Sequence, residues 1–161
     1  MSKSNKLQLV SFKVCPFAQR AAIALQEKKI AYETEYLVPG EDQPAWFKAI
    51  SPLGKVPVLV VDGTPVFESA VILEYLDEVY APQLHPIDPL MKARQRAWME
   101  VASELLGKQY QMIVSKEQAA FETVKQELQA GLDRVATALN SEEPFFNGTQ
   151  FALVDVAFAP L

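Results

Sequence analysis

The spacing of hydrophobic residues predicts alternating strands and helices over the first part of the chain. Apolar positions three or four apart indicate helices, and short β-branched or alternating runs indicate strands. The predicted strands cover 6–12, 30–38, 56–62 and 65–69, and the predicted helices cover 16–29, 44–50 and 69–80. Asp-Gly-Thr between the last two strands is typical of a hairpin turn. The order β-α-β followed by β-β-α predicts a compact α/β domain over residues 1–80.

The second part of the chain has helical spacing only. A proline-rich segment over 81–89 predicts a stiff linker, and Asp88-Pro89 matches the N-cap and first position of a helix. Two apolar stripes follow, and a third apolar segment begins near the chain end. The stripes consist of Ala93, Ala97, Val101 and Leu105, and of Phe121, Val124, Leu128, Leu132, Val135 and Leu139. We therefore expect an all-α domain over residues 90–161.

The last segment, "ALVDVAFAPL", is too apolar for a chain end, since few residues remain to cover it. The pattern favours the hypothesis that the helical domain is incomplete and the chain truncated.

Composition and charge narrow the classes of function. The chain carries 15 Lys and Arg against 20 Asp and Glu, a net charge of −5, with no basic patch, so nucleic acid is not an expected partner. No apolar run is long enough for a membrane span, and the N-terminus lacks the apolar stretch of a signal peptide. A single cysteine cannot form an internal disulfide, which favours a reducing, cytoplasmic location. No His/Cys cluster has metal-ligand spacing, so we expect no metal.

Cys15, the only cysteine, lies between a predicted strand and a predicted helix, directly before Pro16. Free backbone N–H groups and the helix dipole at that position favour a thiolate, so we expect the pKa of this thiol to be lowered. Lys13 and Arg20 would add positive potential. The alternative is that Cys15 is a buried, inert side chain.

Ala18 occupies the position at which a Cys-x-x-Cys motif has its second cysteine. A mixed disulfide on Cys15 would therefore need an external thiol to release it, and glutathione is the abundant cytosolic candidate.

Several stretches together resemble the glutathione transferase superfamily. They are "VCPFAQRAAIALQEK", "GKVPVL", "FESAVILEYLDE" and the proline-rich linker before an all-helical half. The resemblance implies a thioredoxin-like N-terminal domain and a helical C-terminal domain. The Cys-Pro-Phe start is similar to the cysteine-type members, which are the omega, lambda and dehydroascorbate-reductase-like proteins.

The resemblance also implies roles for individual residues. Cys15 would form the mixed disulfide with glutathione, Phe17 would flank the thiol, and Pro57 would follow a cis peptide bond that turns the Val56 backbone toward glutathione. Glu68 and Ser69 would bind the γ-glutamyl ammonium and carboxylate. Simple helix capping by Ser69 and a trans Val56-Pro57 bond are the alternatives, and core packing is the alternative for Phe17 and the expectation for the segments bearing Trp46 and Trp98.

Two departures from the family pattern stand out. Gln43 stands where the family has a basic residue for the glycyl carboxylate of glutathione. Gln43 is still a candidate glutathione-binding residue, because its amide can form a hydrogen bond, but it carries no charge, and Lys55 is the candidate substitute. Ala152 replaces the Ser or Thr that caps the helix carrying Asp155, so this helix start is either weak or built differently.

The predicted function is a glutathione-dependent thiol transferase or reductase that acts on a small disulfide or electrophilic substrate, with glutathione as co-substrate. Two alternatives remain open: a non-catalytic partner-binding protein of the same fold, and a conjugating transferase. The resemblance further implies a homodimer. Met99, Tyr110 and Met112 are candidates for lining the second-substrate cleft, with core packing or dimer contact as the alternative.

Overall fold

A computed structural model describes residues 6–139, 142–146 and 148–161. The chain divides into two compact units, one running to Gln83 and the other beginning at Leu84. The division falls within the proline-rich segment 81–89.

The first unit is a four-stranded sheet with three helices, an α/β fold. Its elements are β1 (Leu7–Phe12), α1 (Pro16–Glu27), β2 (Glu33–Leu37), α2 (Ala45–Ile50), β3 (Val58–Val61), β4 (Thr64–Phe67) and α3 (Ser69–Val79). The strand order is β2-β1-β3-β4. β1 and β2 are parallel across the α1 crossover, whereas β3 is antiparallel to both β1 and β4. This mixed sheet confirms the predicted βαβ-ββα fold.

One hydrophobic cluster of this unit forms where the two central strands meet α2. Val10 of β1, Val58 of β3 and Phe47 of α2 are fully buried together. Phe47 therefore packs in the core as predicted. The same prediction for Trp46 is wrong, because its side chain is 44% exposed and contacts Phe47 only edge-on.

The second unit is helical. It contains α4 (Pro89–Val114), α5 (Gln118–Ala138) and α6 (Leu153–Phe158). The Asp88 carboxylate accepts a hydrogen bond from the Met91 backbone N–H at 2.8 Å, which caps α4 as the sequence predicts. The predicted break over 140–150 includes residues 140, 141 and 147, which lie outside the described residues.

The buried face of α4 agrees with the predicted stripe at Leu105 and differs from it at the alanines. Ala93 and Ala97 are exposed, and the buried residues are Gln95, Met99, Ala102, Leu105 and Leu106. Alanine spacing indicates a helix, but the larger side chains decide which face is buried because they remove more apolar surface from water. The α5 stripe is partly correct: Val135 is buried, whereas Leu132 and Leu139 are 38% and 42% exposed.

Asp155 builds the start of α6 in the absence of a Ser or Thr cap. One carboxylate oxygen accepts from the Ala152 backbone N–H at 2.8 Å, and the other accepts from the Phe146 backbone N–H at 2.7 Å. The helix is thus built differently, because Asp155 binds the backbone N–H groups of the preceding segment.

Among the described residues, no helix combines the length and the apolar character needed to cross a membrane.

Candidate functional site

Cys15 is the N-cap residue of α1, directly after β1. Its backbone is extended, with φ −103° and ψ 112°, and its carbonyl accepts from the Gln19 N–H at 3.0 Å. Pro16 takes the first helical position, where a missing N–H costs no hydrogen bond. Cys15 as a residue is only partly buried.

Sheet topology brings Val56 to this thiol. Because β1 and β3 are antiparallel neighbours with Val10 opposite Val58, the segment after β1 and the segment before β3 lie at the same end of the sheet. Cys15 Sγ lies 4.0 Å from the Val56 carbonyl oxygen, within reach of a weak S–H···O hydrogen bond. The Val56–Pro57 peptide bond is cis, the geometry that the resemblance implies.

The pKa of Cys15 does not follow the sequence-based expectation. Burial raises the pKa of the thiol, while the backbone N–H groups of Ala18 and Phe17 lower it, and the net shift is upward. The predicted lowering is therefore corrected: the helix N-terminus does stabilise the thiolate, but desolvation of the charged form outweighs it.

A cleft of about 140 Å³ opens beside Val56, within the first unit. It is lined by Phe17, Ser51, Leu53, Lys55, Val56, Pro57, Phe67, Glu68 and Ser69. The fold thus brings together most of the residues that the sequence selected. Ser51, Leu53 and Phe67 were missed, although Ser51 and Leu53 lie in the loop just before Lys55 and Phe67 directly precedes Glu68.

Gln43 does not line this cleft. Its side-chain Nε2 donates to the Gly54 carbonyl at 2.8 Å. Gln43 therefore stabilises the loop that carries Lys55. Lys55 lines the cleft and contributes a cation with an exposed side chain.

Glu68 and Ser69 lie at the start of α3 and differ in exposure. Glu68 is the N-cap residue, has an exposed side chain and adopts φ +69°, a left-handed conformation that is uncommon outside glycine. Ser69 is 6% exposed and is the first residue of the helix. A carboxylate acceptor and a helix N-terminus therefore stand side by side, which suits a ligand carrying both an ammonium and a carboxylate.

A second, smaller cavity of about 80 Å³ adjoins Cys15 between α1 and the β2 edge of the sheet. Its walls include Thr34 and Tyr36, which are two residues apart in β2 and therefore share a face of the strand, and Tyr32, which directly precedes β2. In the described part of the chain no group of His, Cys, Asp and Glu could hold a metal ion.

The family model described as "Glutathione S-transferase, N-terminal domain" matches residues 14–79. Glutathione S-transferase U22 of Arabidopsis thaliana is 31% identical over 96% of this chain and 71% of its own length. The chain belongs to the glutathione S-transferase family. With Cys15 in its Cys-Pro-Phe motif, it is a cysteine-type member.

Two relatives of named classes within the family are also similar to this chain. Glutathione S-transferase omega-1 of Rattus norvegicus is 32% identical over 97% of this chain and 66% of its own length. Glutathione S-transferase DHAR2 of Arabidopsis thaliana is 35% identical over 91% of this chain and 64% of its own length. The chain thus spans about two thirds of these relatives.

Solved structures agree with the fold. Glutathione transferase Omega 3C from Trametes versicolor matches with a TM-score of 0.82 at 28% identity, over 96% of this chain and 71% of its own. A glutathione S-transferase from Methylobacillus flagellatus with glutathione bound matches with a TM-score of 0.84 at 25% identity, over 94% of this chain and 79% of its own. These similarities support the two-part architecture.

Proposed function

We propose that the chain is a glutathione-dependent thiol transferase that reduces glutathionyl mixed disulfides or related small substrates through Cys15. The observation that carries the proposal is the position of the Cys15 sulfur, 4.0 Å from the Val56 carbonyl at the edge of the cleft that holds Glu68 and Ser69.

In the proposed reaction, the Cys15 thiolate attacks the glutathione sulfur of a substrate R–S–S–G. The bond from Cys15 to glutathione forms, the substrate disulfide breaks, and R–S⁻ leaves with the electron pair and takes up a proton. A glutathione thiolate then attacks the mixed disulfide, which releases oxidised glutathione and restores the Cys15 thiolate. The chain has no second cysteine that could replace glutathione in the second step.

Glutathione would bind in an extended conformation across the cleft. The Val56 backbone would pair with the cysteinyl unit, while Glu68 and Ser69 would take the ammonium and carboxylate of the γ-glutamyl group. Lys55 would meet the glycyl carboxylate, with Gln43 supporting its loop through Gly54. Phe17 would cover the thiol from the helix side.

The test combines adduct formation with turnover. After incubation with oxidised glutathione, intact mass should show one glutathionyl adduct, and Cys15→Ser should show none. The wild type should reduce a glutathionyl peptide and dehydroascorbate with glutathione as reductant. Absence of both adduct and turnover would favour a non-catalytic binding protein. Conjugation of an electrophile without disulfide reduction would favour a conjugating transferase.

Two further properties are proposed by family likeness. We expect a homodimer, which sedimentation at several protein concentrations would test. We also expect a cytoplasmic location, since the reaction depends on reduced glutathione, and fractionation of cells expressing the native protein would test it.

A further inference from the structure

We propose that Arg20 is a positioning residue that directs the Ser69 hydroxyl into the cleft and so selects ligands with a carboxylate at their γ-glutamyl end. This inference rests on the proposed glutathione site.

Arg20 lies beneath two walls of the cleft. It is 1% exposed in the second turn of α1, and its Nη1 lies 3.4 Å from Ser69 Oγ. Its guanidinium carbon lies 5.4 Å from the centre of the Phe17 ring, within cation–π range. Phe17 and Arg20 are three residues apart and therefore share a face of α1. A single buried cation thus contacts an aromatic and a hydroxyl lining residue.

The hydrogen bond sets the polarity of Ser69. A hydroxyl has one proton to donate, and a guanidinium can only donate. Because Arg20 donates to Ser69 Oγ, the serine proton must point elsewhere, toward an acceptor. Ser69 also lies at the N-terminus of α3, whose partial positive charge favours an anion. A carboxylate in the cleft would therefore meet a donor hydroxyl backed by a buried positive charge.

The neighbouring Glu68 has the opposite preference. Its exposed carboxylate lines the same cleft and would attract an ammonium while repelling a carboxylate. Ser69, backed by Arg20, would then bind the carboxylate on the ligand's α-carbon. Glu68 would bind the ammonium on the same carbon. This arrangement selects an α-amino acid end in a single orientation.

The guanidinium shape matters as well as its charge. Arg presents a planar set of donors that can reach Ser69 while lying over a ring, whereas a lysine ammonium is a compact, strongly hydrated point charge. Arg20→Lys should therefore keep the charge but restore only part of the positioning.

The test uses three reduced tripeptide ligands and calorimetric binding in the presence of a phosphine reductant. The ligands are glutathione, γ-aminobutyryl-Cys-Gly, which lacks the α-carboxylate, and glutaryl-Cys-Gly, which lacks the α-amine. Arg20→Met should lower the affinity for glutathione and for glutaryl-Cys-Gly about tenfold or more, as expected for loss of a charge-supported hydrogen bond. It should change the affinity for γ-aminobutyryl-Cys-Gly less than about threefold. The glutathione affinity of Arg20→Lys should lie between those of the wild type and Arg20→Met.

Ser69→Ala provides an independent arm should Arg20→Met fail to fold. Ser69→Ala should produce the same selective loss of affinity. The double variant Ser69→Ala/Arg20→Lys should bind glutathione only slightly more weakly than Ser69→Ala. In turnover assays, the loss should appear in KM for glutathione with kcat nearly unchanged. If Arg20→Lys and Ser69→Ala weaken all three ligands equally, the selection role is wrong and Arg20 only supports the fold. If the wild-type protein binds none of the three, the proposed glutathione site itself fails.

Discussion

Lys28 and Asp77 form a buried ion pair that joins the C-terminal ends of α1 and α3. The Lys28 ammonium lies 2.9 Å from Asp77 Oδ1, and the two side chains are 0% and 3% exposed. The same ammonium donates to the carbonyls of Tyr80 at 2.7 Å and Pro82 at 2.6 Å. It thereby fixes the first residues of the proline-rich segment to the first unit.

Replacing one member of this ion pair should lower the free energy of unfolding more than replacing both. Lys28→Met leaves the Asp77 carboxylate buried without its cation and should cost about 3–5 kcal/mol in the free energy of unfolding. The double variant Lys28→Met/Asp77→Leu should recover a substantial part of that loss. Urea denaturation measures both. The exposed pair Lys48–Asp42, with a comparable N–O distance of 2.8 Å, is the control, and Lys48→Met should leave stability unchanged. Equal stability of the single and double variants would contradict the argument.

Two glycines in the helical unit should respond oppositely to alanine. A Cβ on Gly131 of α5 would overlap the Leu105 side chain, which is 1% exposed and cannot easily move, whereas a Cβ on Gly107 of α4 meets nothing within 4 Å. Gly107→Ala should stabilise by up to about 1 kcal/mol through helix propensity. Gly131→Ala should destabilise by about 1–2 kcal/mol as overpacking exceeds that gain. Denaturation midpoints measure both, and matching shifts would refute the close packing of α4 and α5.

The rate at which Cys15 is alkylated should rise at a higher pH in the folded protein than in the unfolded chain. Burial raises the pKa of this thiol, so the free protein holds less thiolate near neutral pH than an unfolded chain does. The rate of alkylation by iodoacetamide should therefore have its midpoint at a higher pH in the folded protein than in urea. Because the chain has one cysteine, no other thiol interferes. A folded midpoint below the unfolded one would show that the helix N-terminus dominates after all.

Replacing Glu68 by glycine should stabilise the fold and weaken glutathione binding. Its φ of +69° is strained for a residue with a Cβ, and such strain costs about 1–3 kcal/mol. Glu68→Gly should raise the free energy of unfolding by about 1 kcal/mol, less than the full strain because glycine gains entropy in the unfolded chain. The same change should weaken glutathione binding, since the carboxylate for the ammonium is lost.

Lys29→Gly is the matched control for this backbone effect. Lys29 follows α1 with φ +54°, in the position that favours glycine after a helix, and its side chain is exposed. It should gain similar stability with glutathione affinity unchanged. If Glu68→Gly leaves binding unchanged too, Glu68 has no role in the site.

Much of the architecture could be predicted because it depends on local signals. The period of apolar residues predicted all four strands and the three helices of the first unit to within a few residues, and Asp88-Pro89 predicted the start of α4. The face of α4 could not be predicted, since alanine spacing satisfies a helix without saying what packs against it. The structure of the α6 start depends on the Asp155 contact with Phe146, which is separated from it by 9 positions.

The amino-acid sequence alone predicts a lone thiol at a strand-to-helix junction with no second cysteine to resolve it, because the junction is a local pattern and the cysteines can be counted. The contacts of that thiol and its surroundings could be read only from the folded chain: the Val56 carbonyl lies beside the thiol, Arg20 is buried behind Ser69, Lys28 pairs with Asp77, and burial raises the pKa of Cys15. Each of these depends on long-range strand and helix pairing, which sets burial and brings together charges that lie far apart along the chain.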